Sequence, residues 1–138
     1  MFGKIVVAFD GSTQAQAAFR WALDLAQKLG SELLVVSVVR LAEPGTRVEV
    51  EAVVEEGEQH FAEEHRKLAL LARERGVPCR SEIDVGPPAE HVMHVAEAAG
   101  ADLIVVGRRG RNSFERLLMG SVSERILRLA HCPVLVVH

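Results

Sequence analysis

Hydrophobic and polar positions along the chain follow two different periods. Four short runs, at residues 5–9, 33–39, 103–106 and 134–137, are almost continuously apolar and rich in β-branched side chains. Each is too short for a helix, so each reads as a strand buried on both faces. Residues 79–85 behave differently, because their apolar side chains alternate with Arg80, Glu82 and Asp84. That period of two predicts a half-covered strand at a sheet edge.

Between these runs the period becomes helical. Ser12 or Thr13 can cap a first helix that continues to Leu29 and stops at Gly30. Its apolar stripe is Ala15, Ala18, Phe19, Ala22, Leu25, Ala26 and Leu29. A second helix is expected from about Val48 to Arg75, with Val50, Val53, Val54, Phe61, Leu68 and Ala72 as its buried face and Gly76 and Pro78 just beyond. A third spans about 88–99 and ends at Gly100. The last runs from about Val122 to Ala130 and halts before Pro133.

The order is therefore β-α-β-α-β-α-β-α-β. Strict alternation with helical connections predicts right-handed crossovers and a doubly wound α/β fold: a five-stranded parallel sheet with helices on both faces. The last strand, 134–137, is apolar on both sides. As a bare edge it would template aggregation, so pairing with its own copy across a two-fold axis is expected. A central place within the protomer is the alternative.

Composition narrows the class. The 138 residues suit a single domain covering 1–138, and 49% hydrophobic against 25% charged residues with a net charge of −3 exclude a disordered chain. No apolar run approaches the ~20 residues of a membrane-spanning helix, and the first residues do not read as a targeting peptide. No membrane partner and a cytoplasmic location are the expectations. Cys79 and Cys132 lie far apart and outside any C-x-x-C pair, so they are expected as two buried thiols. An isoelectric point near 6.1 argues against nucleic acid as a partner.

In open parallel sheets, ligands bind beyond the carboxyl ends of the strands. Asp10-Gly11-Ser12 follows the first strand, and Gly107-Arg108-Arg109-Gly110 follows the fourth, before Gly120-Ser121 opens the last helix. Glycines at 107, 110 and 120 permit positive φ and the close backbone approach a phosphate needs. Gly120-Ser121-Val122-Ser123 offers N–H groups and hydroxyls at a helix N-terminus, a ready anion site. Four arginines (108, 109, 111 and 116) against Glu115 give this segment +3 in a chain of −3. Loop arginines are equally often just solvated, so the segment alone leaves phosphate binding and a polar surface both open.

Several nucleotide motifs are absent. Lys4, Lys28 and Lys67 are the only lysines and none completes a Walker loop, while Gly11 stands alone after the first strand where a dinucleotide fingerprint would need three glycines. A phosphorelay receiver would require more acids than Asp10, and Asp10-Gly11-Ser12-Thr13-Gln14 is a poor flavodoxin phosphate loop.

Gly107-x2-Gly110-x9-Gly120-Ser121 matches without a gap the G-2x-G-9x-G-[ST] signature of the universal stress proteins, and here the chain resembles that family. The opening Ile5-Val6-Val7-Ala8-Phe9-Asp10-Gly11-Ser12, the stretch from Ala101 to Gly107 and the closing Cys132-Pro133-Val134-Leu135-Val136-Val137 resemble it too, so nearly the whole chain is covered in register. The resemblance implies the ATP-binding subgroup, strand order 3-2-1-4-5 and homodimers formed through Val134-Leu135-Val136-Val137. It also implies that Asp10 and the backbone of Val38 face adenine and that Gly107 lies near the ribose. Gly110, Gly120, Ser121, Val122 and Ser123 would hold the phosphates, with Mg²⁺ or Mn²⁺ carried by the nucleotide. Arg108 and Arg109 join that set on charge alone. Two positions depart from the family pattern: Ala8 stands where some nucleotide-binding members have proline, and Ser37 where histidine is frequent. Both concern adenine and ribose packing.

The remaining polar residues point less far. His91 and His94, and His60 and His65, lack the converging acids or cysteines of a metal site and are expected to be solvated or partly buried. Glu55, Glu56, Glu58, Glu63 and Glu64 read as a solvated helix face, a partner surface being the alternative. No general base is apparent near the expected γ-phosphate, so no catalytic residue is assigned. A regulatory module of the stress response whose ATP-bound homodimer is the signal is the leading expectation. A weak ATPase or nucleotidyl-transfer enzyme is the alternative, and a dimeric interaction domain with a vestigial pocket is a third.

Overall fold

The computed structural model describes residues 2–41, 45–108 and 121–138. Five parallel strands, β1 (Lys4–Ala8), β2 (Glu32–Val39), β3 (Cys79–Val85), β4 (Leu103–Gly107) and β5 (Val134–Val137), form one sheet in the order β3-β2-β1-β4-β5. Four helices connect them: α1 (Thr13–Leu29), α2 (Arg47–Glu74), α3 (Pro88–Ala99) and α4 (Ser121–Leu129). The expected doubly wound architecture and strand order are therefore present.

The starts of α1, α2 and α3 and the ends of α1 and α3 follow local chemistry. Ser12 caps α1, its Oγ accepting from the Ala15 N–H at 3.1 Å. Thr46 and Glu49 cap α2 reciprocally, each side chain accepting from the other's backbone N–H at 3.1 Å. Pro88 opens α3 where its missing N–H costs nothing, and left-handed Gly30 and Gly100 close α1 and α3.

Two apolar layers sandwich the sheet. On one face, Phe19, Ala22, Leu23 and Ala26 of α1 and Leu68 and Ala72 of α2 pack on Ile5, Val7, Leu33, Val35, Leu103 and Val105. On the other, Val92, Met93, Val95 and Ala96 of α3 and Ile126 of α4 cover Val6, Leu34, Val36, Ile104 and Val106. β1, β2 and β4 thus bury both faces, as their unbroken apolar runs predict. In α1 the stripe shifts slightly: Leu23 is buried, while Leu29, expected inside, is exposed.

β3 is an edge strand, half-covered as expected. β5 is the other edge, which removes the alternative of a central position in the protomer. Val134, Leu135 and Val136 are only half-buried there. Cys79 and Cys132 are free, but half-buried rather than buried. Burial pushes both thiols up, and the Asp102 charge adds to this at Cys132. Both should therefore alkylate more slowly at neutral pH than a free cysteine, and equal or faster modification by iodoacetamide would contradict this placement.

Among the described residues no helix is long and apolar enough to cross a membrane.

Candidate functional site

Because α1 and α2 lie on one face and α3 and α4 on the other, the chain parts at the carboxyl ends of the strands. A cavity of about 610 Å³ opens there, within the range of small-molecule sites. Its floor is Ala8, Val36, Val38 and Val106, with Asp10, Ser12, Gly107, Val122 and Ser123 around it.

The β1–α1 corner is set by three residues. Gly11 takes φ +84°, a conformation L side chains rarely adopt. Asp10 Oδ1 accepts from the Ser12 N–H at 2.9 Å, closing an Asx turn. Ser12 then caps α1, so the corner that points Asp10 toward the cavity is also the start of a helix.

The β4 corner is tighter. An added Cβ at Gly107 would lie 2.5 Å from the Gln14 carbonyl carbon and 2.6 Å from its oxygen. Gly107 is absent from the positive-φ residues, so glycine here serves the approach of β4 to the first turn of α1, not a left-handed turn. The Gly107 carbonyl accepts from Ser123 Oγ at 2.9 Å, which pins α4 to β4. Ser123 is buried and its hydroxyl proton is thereby committed. Toward an anion it can offer its backbone N–H, beside those of Ser121 and Val122 in the first turn of α4.

The third wall was not foreseen. Val53, Glu56, Gly57, His60 and Phe61 line the cavity from one face of α2, at the helical spacing of three and four. Val53 and Phe61 were expected in the buried stripe. Val53 is instead exposed and Phe61 half-buried, because this part of α2 turns its apolar face to the cavity and not to the sheet. Gly57 permits this approach: a Cβ there would lie 2.9 Å from both Val39 methyls. The repeat of Val53, Gly57 and Phe61 in the sequence was the available signal, but spacing alone cannot distinguish a sheet from a cavity as its cover.

Asp10, Val38, Gly107, Val122 and Ser123 are thus brought together around one cavity. Ser121 lies in an adjoining groove with Arg40, Pro87, Glu90, Val122 and Arg125. Arg108 does not line the cavity; its guanidinium donates to His138 Nδ1 at 3.2 Å and its backbone N–H to the Val137 carbonyl at 2.7 Å, toward the end of β5. Arg109, Gly110 and Gly120 lie outside the described residues. Arg40 at the end of β2, unanticipated as a site residue, is the cation that lines the cavity among the described residues.

The histidines separate by environment. His94 is exposed, and His91 is half-buried with Nδ1 4.0 Å from Asp84. His65 is buried, with Nε2 2.7 Å from Ser37 Oγ, and desolvation holds its pKa below the ordinary histidine value. Among the described residues no three His, Cys, Asp or Glu side chains gather as a metal ion would require. Glu90, gripped by Arg125 across α3 and α4, is held below the usual carboxylate range by that hydrogen bond.

A profile of the universal stress protein family matches residues 1–138. A universal stress protein of Methanocaldococcus jannaschii is 37% identical over 144 aligned positions, covering 99% of this chain and 82% of that protein. Among solved structures, the universal stress protein UspA from Lactobacillus plantarum superposes with a TM-score of 0.88 at 27% identity, covering 99% of this chain and 98% of that one. A universal stress protein solved in complex with cAMP gives a TM-score of 0.65 at 25% identity, covering 99% and 97%.

Proposed function

Because this chain belongs to the universal stress protein family, we propose that it is a nucleotide-binding regulatory module, a single domain that takes ATP into the cavity at the carboxyl end of its sheet. The observation that carries this reading is the convergence on one 610 Å³ cavity of the Asp10 corner, the Gly107 end of β4 and the first turn of α4. A cavity at the point where the winding reverses is where such sheets bind ligands. The relative whose structure is described as a complex with cAMP supports the ligand class.

The residues present fit a nucleotide. Asp10 can accept from an exocyclic amine, and the backbone at Val38 can pair with a base edge. Apolar floor and wall, from Ala8, Val36, Val106 and Phe61, suit the faces of a base. The N–H groups at Ser121, Val122 and Ser123, with the helix dipole behind them, suit phosphates. Arg109, Gly110 and Gly120 would complete that cradle, and Arg108 could reach it only by leaving His138. When bound, Mg²⁺ or Mn²⁺ would neutralise phosphate charge; it would arrive with the nucleotide. Asp10 already accepts from Ser12 and sits at the base end, so no side chain here is assigned to activate water.

Titrating nucleotide-stripped protein with MgATP, with AMP in parallel, tests this. Micromolar ATP affinity, about −8 kcal/mol, with weaker AMP binding is the expected result. No detectable heat with either would overturn it. Steady turnover that follows the protein through purification would instead favour the weak ATPase or nucleotidyl-transfer reading.

The proposed active form is a homodimer joined through β5, the apolar edge whose Val134, Leu135 and Val136 stay half-covered in one protomer. Leu135→Glu places a charge in that seam. It is expected to convert a micromolar dimer to monomer in sedimentation, and a monomeric native protein would sink the proposal.

A further inference from the structure

Beneath the α2 wall lies a buried hydrogen-bond chain that nucleotide binding does not itself require. Ser37 is fully buried on β2, and its Oγ donates to the Phe9 carbonyl at 2.5 Å. The same oxygen lies 2.7 Å from Nε2 of His65. A hydroxyl has one proton and a carbonyl only accepts, so Ser37 must accept from His65, and Nε2 must carry hydrogen. In the neutral ring Nδ1 is then a bare lone pair. Nδ1 is buried and has no hydrogen-bond partner among the described residues.

The ring is wedged where the cavity's two sides meet. Its centroid is 6.3 Å from that of Phe9 and 6.3 Å from that of Phe61. Both phenylalanines line the cavity, and Phe9 directly precedes Asp10. His65 therefore ties α2 to the end of β1 through Ser37. We propose that His65 is a positioning residue for this cavity, a proton-sensitive latch that holds the α2 wall and the Phe9–Asp10 corner in the ligand-binding arrangement only while Nδ1 is unprotonated.

Protonating Nδ1 leaves the Nε2 bond intact but creates a buried donor without an acceptor, on a cation out of water. Burial opposes that charge, and Glu64 on the same helix partly favours it. Among the described residues the other elements packed there bring no charge to the ring: β1 supplies Phe9, β2 supplies Ser37, and β3 places Ile83 opposite Ser37. His60, Glu56 and Asp10 line the cavity itself and are separate from the latch.

The direction follows from linkage. A released ring takes its proton near the ordinary value of 6.5, whereas the latched ring does so only at lower pH. Acidification below that value favours the released state, so affinity should fall by up to about tenfold per pH unit.

The proposal rests on the nucleotide reading for its ligand, and its test separates the two. The probe is cAMP, whose single phosphodiester charge is constant between pH 5 and 8. The native protein should bind cAMP about fivefold to tenfold more weakly at pH 5.5 than at pH 7.5. His65→Leu, which keeps the volume and removes the titration, should lose most of that difference. If the variant keeps the native pH profile, His60 or another group is responsible and the latch is wrong. Ring ¹⁵N spectra of the ligand-free native protein should show the Nε2–H tautomer at neutral pH, and amide protection factors over residues 47–61, which remove the intrinsic pH dependence of exchange, should fall on acidification. The Nδ1–H tautomer, or protection factors indifferent to pH, would overturn the latch even if His65→Leu did not fold. If cAMP binds at no pH, the nucleotide reading still stands or falls with the MgATP titration, and the latch is decided by the spectra and exchange alone.

Discussion

Gly107→Ala is expected to cost this protein about 2–3 kcal/mol, the upper range for inserting volume into a packed site. The new Cβ would sit 2.5 Å from the Gln14 carbonyl carbon and 2.9 Å from the Ala15 nitrogen. These are backbone atoms of the first turn of α1, so no rotamer change relieves the contact. Either β4 or α1 must move, and both carry the cavity. The midpoint of thermal unfolding should fall by about 10 °C, and nucleotide affinity should fall with it. Gly107→Val should cost little more than alanine, because the collision is already made at Cβ. A graded loss that grows mainly with side-chain size would instead place the glycine against a ligand and not against α1.

Ala8→Phe should separate binding from folding. Ala8 ends β1, half-buried, on the α3–α4 side of the sheet, and its side chain is part of the cavity floor with Val36, Val38 and Val106. A phenyl group there can extend into the cavity and occupy the place proposed for the base. Stability should change by no more than about 1 kcal/mol, while ATP affinity should drop at least about a hundredfold, equivalent to about 2.7 kcal/mol. Unchanged affinity in a folded Ala8→Phe protein would mean that the nucleotide lies elsewhere.

The strands and crossovers were legible because burial on both faces leaves a plain mark: unbroken Val, Ile and Leu runs ended by Asp10, Arg40 and Gly107. Helix ends were legible from Ser12, Gly30, Pro88 and Gly100 for the same local reason. Strand order came only from the family resemblance, since periodicity is blind to which strands are neighbours. Periodicity was also blind to what covers an apolar face. The stripe of α2 is continuous in sequence, yet Leu68 and Ala72 meet the sheet while Val53 and Phe61 meet the cavity.

Two candidate site residues carry structural contacts that composition does not reveal. Gly107 fits a phosphate motif, but its lack of a side chain is already demanded by Gln14. Arg108 has the right charge for a phosphate, but its guanidinium is engaged with His138. Ser37, a departure from the family pattern, proves to be where α2 is tied to β1. Its partner His65 lies 28 positions away, a distance across which no local pattern could have paired them.

Mapping bound nucleotide onto backbone amides by NMR tests the central claim most directly. With ¹⁵N-labelled protein and saturating MgATP, the largest shifts should fall on Asp10, Gly11, Val38, Gly107 and residues 121–123, with smaller ones along residues 53–61. Shifts confined to other surfaces, or none at millimolar nucleotide, would contradict the account.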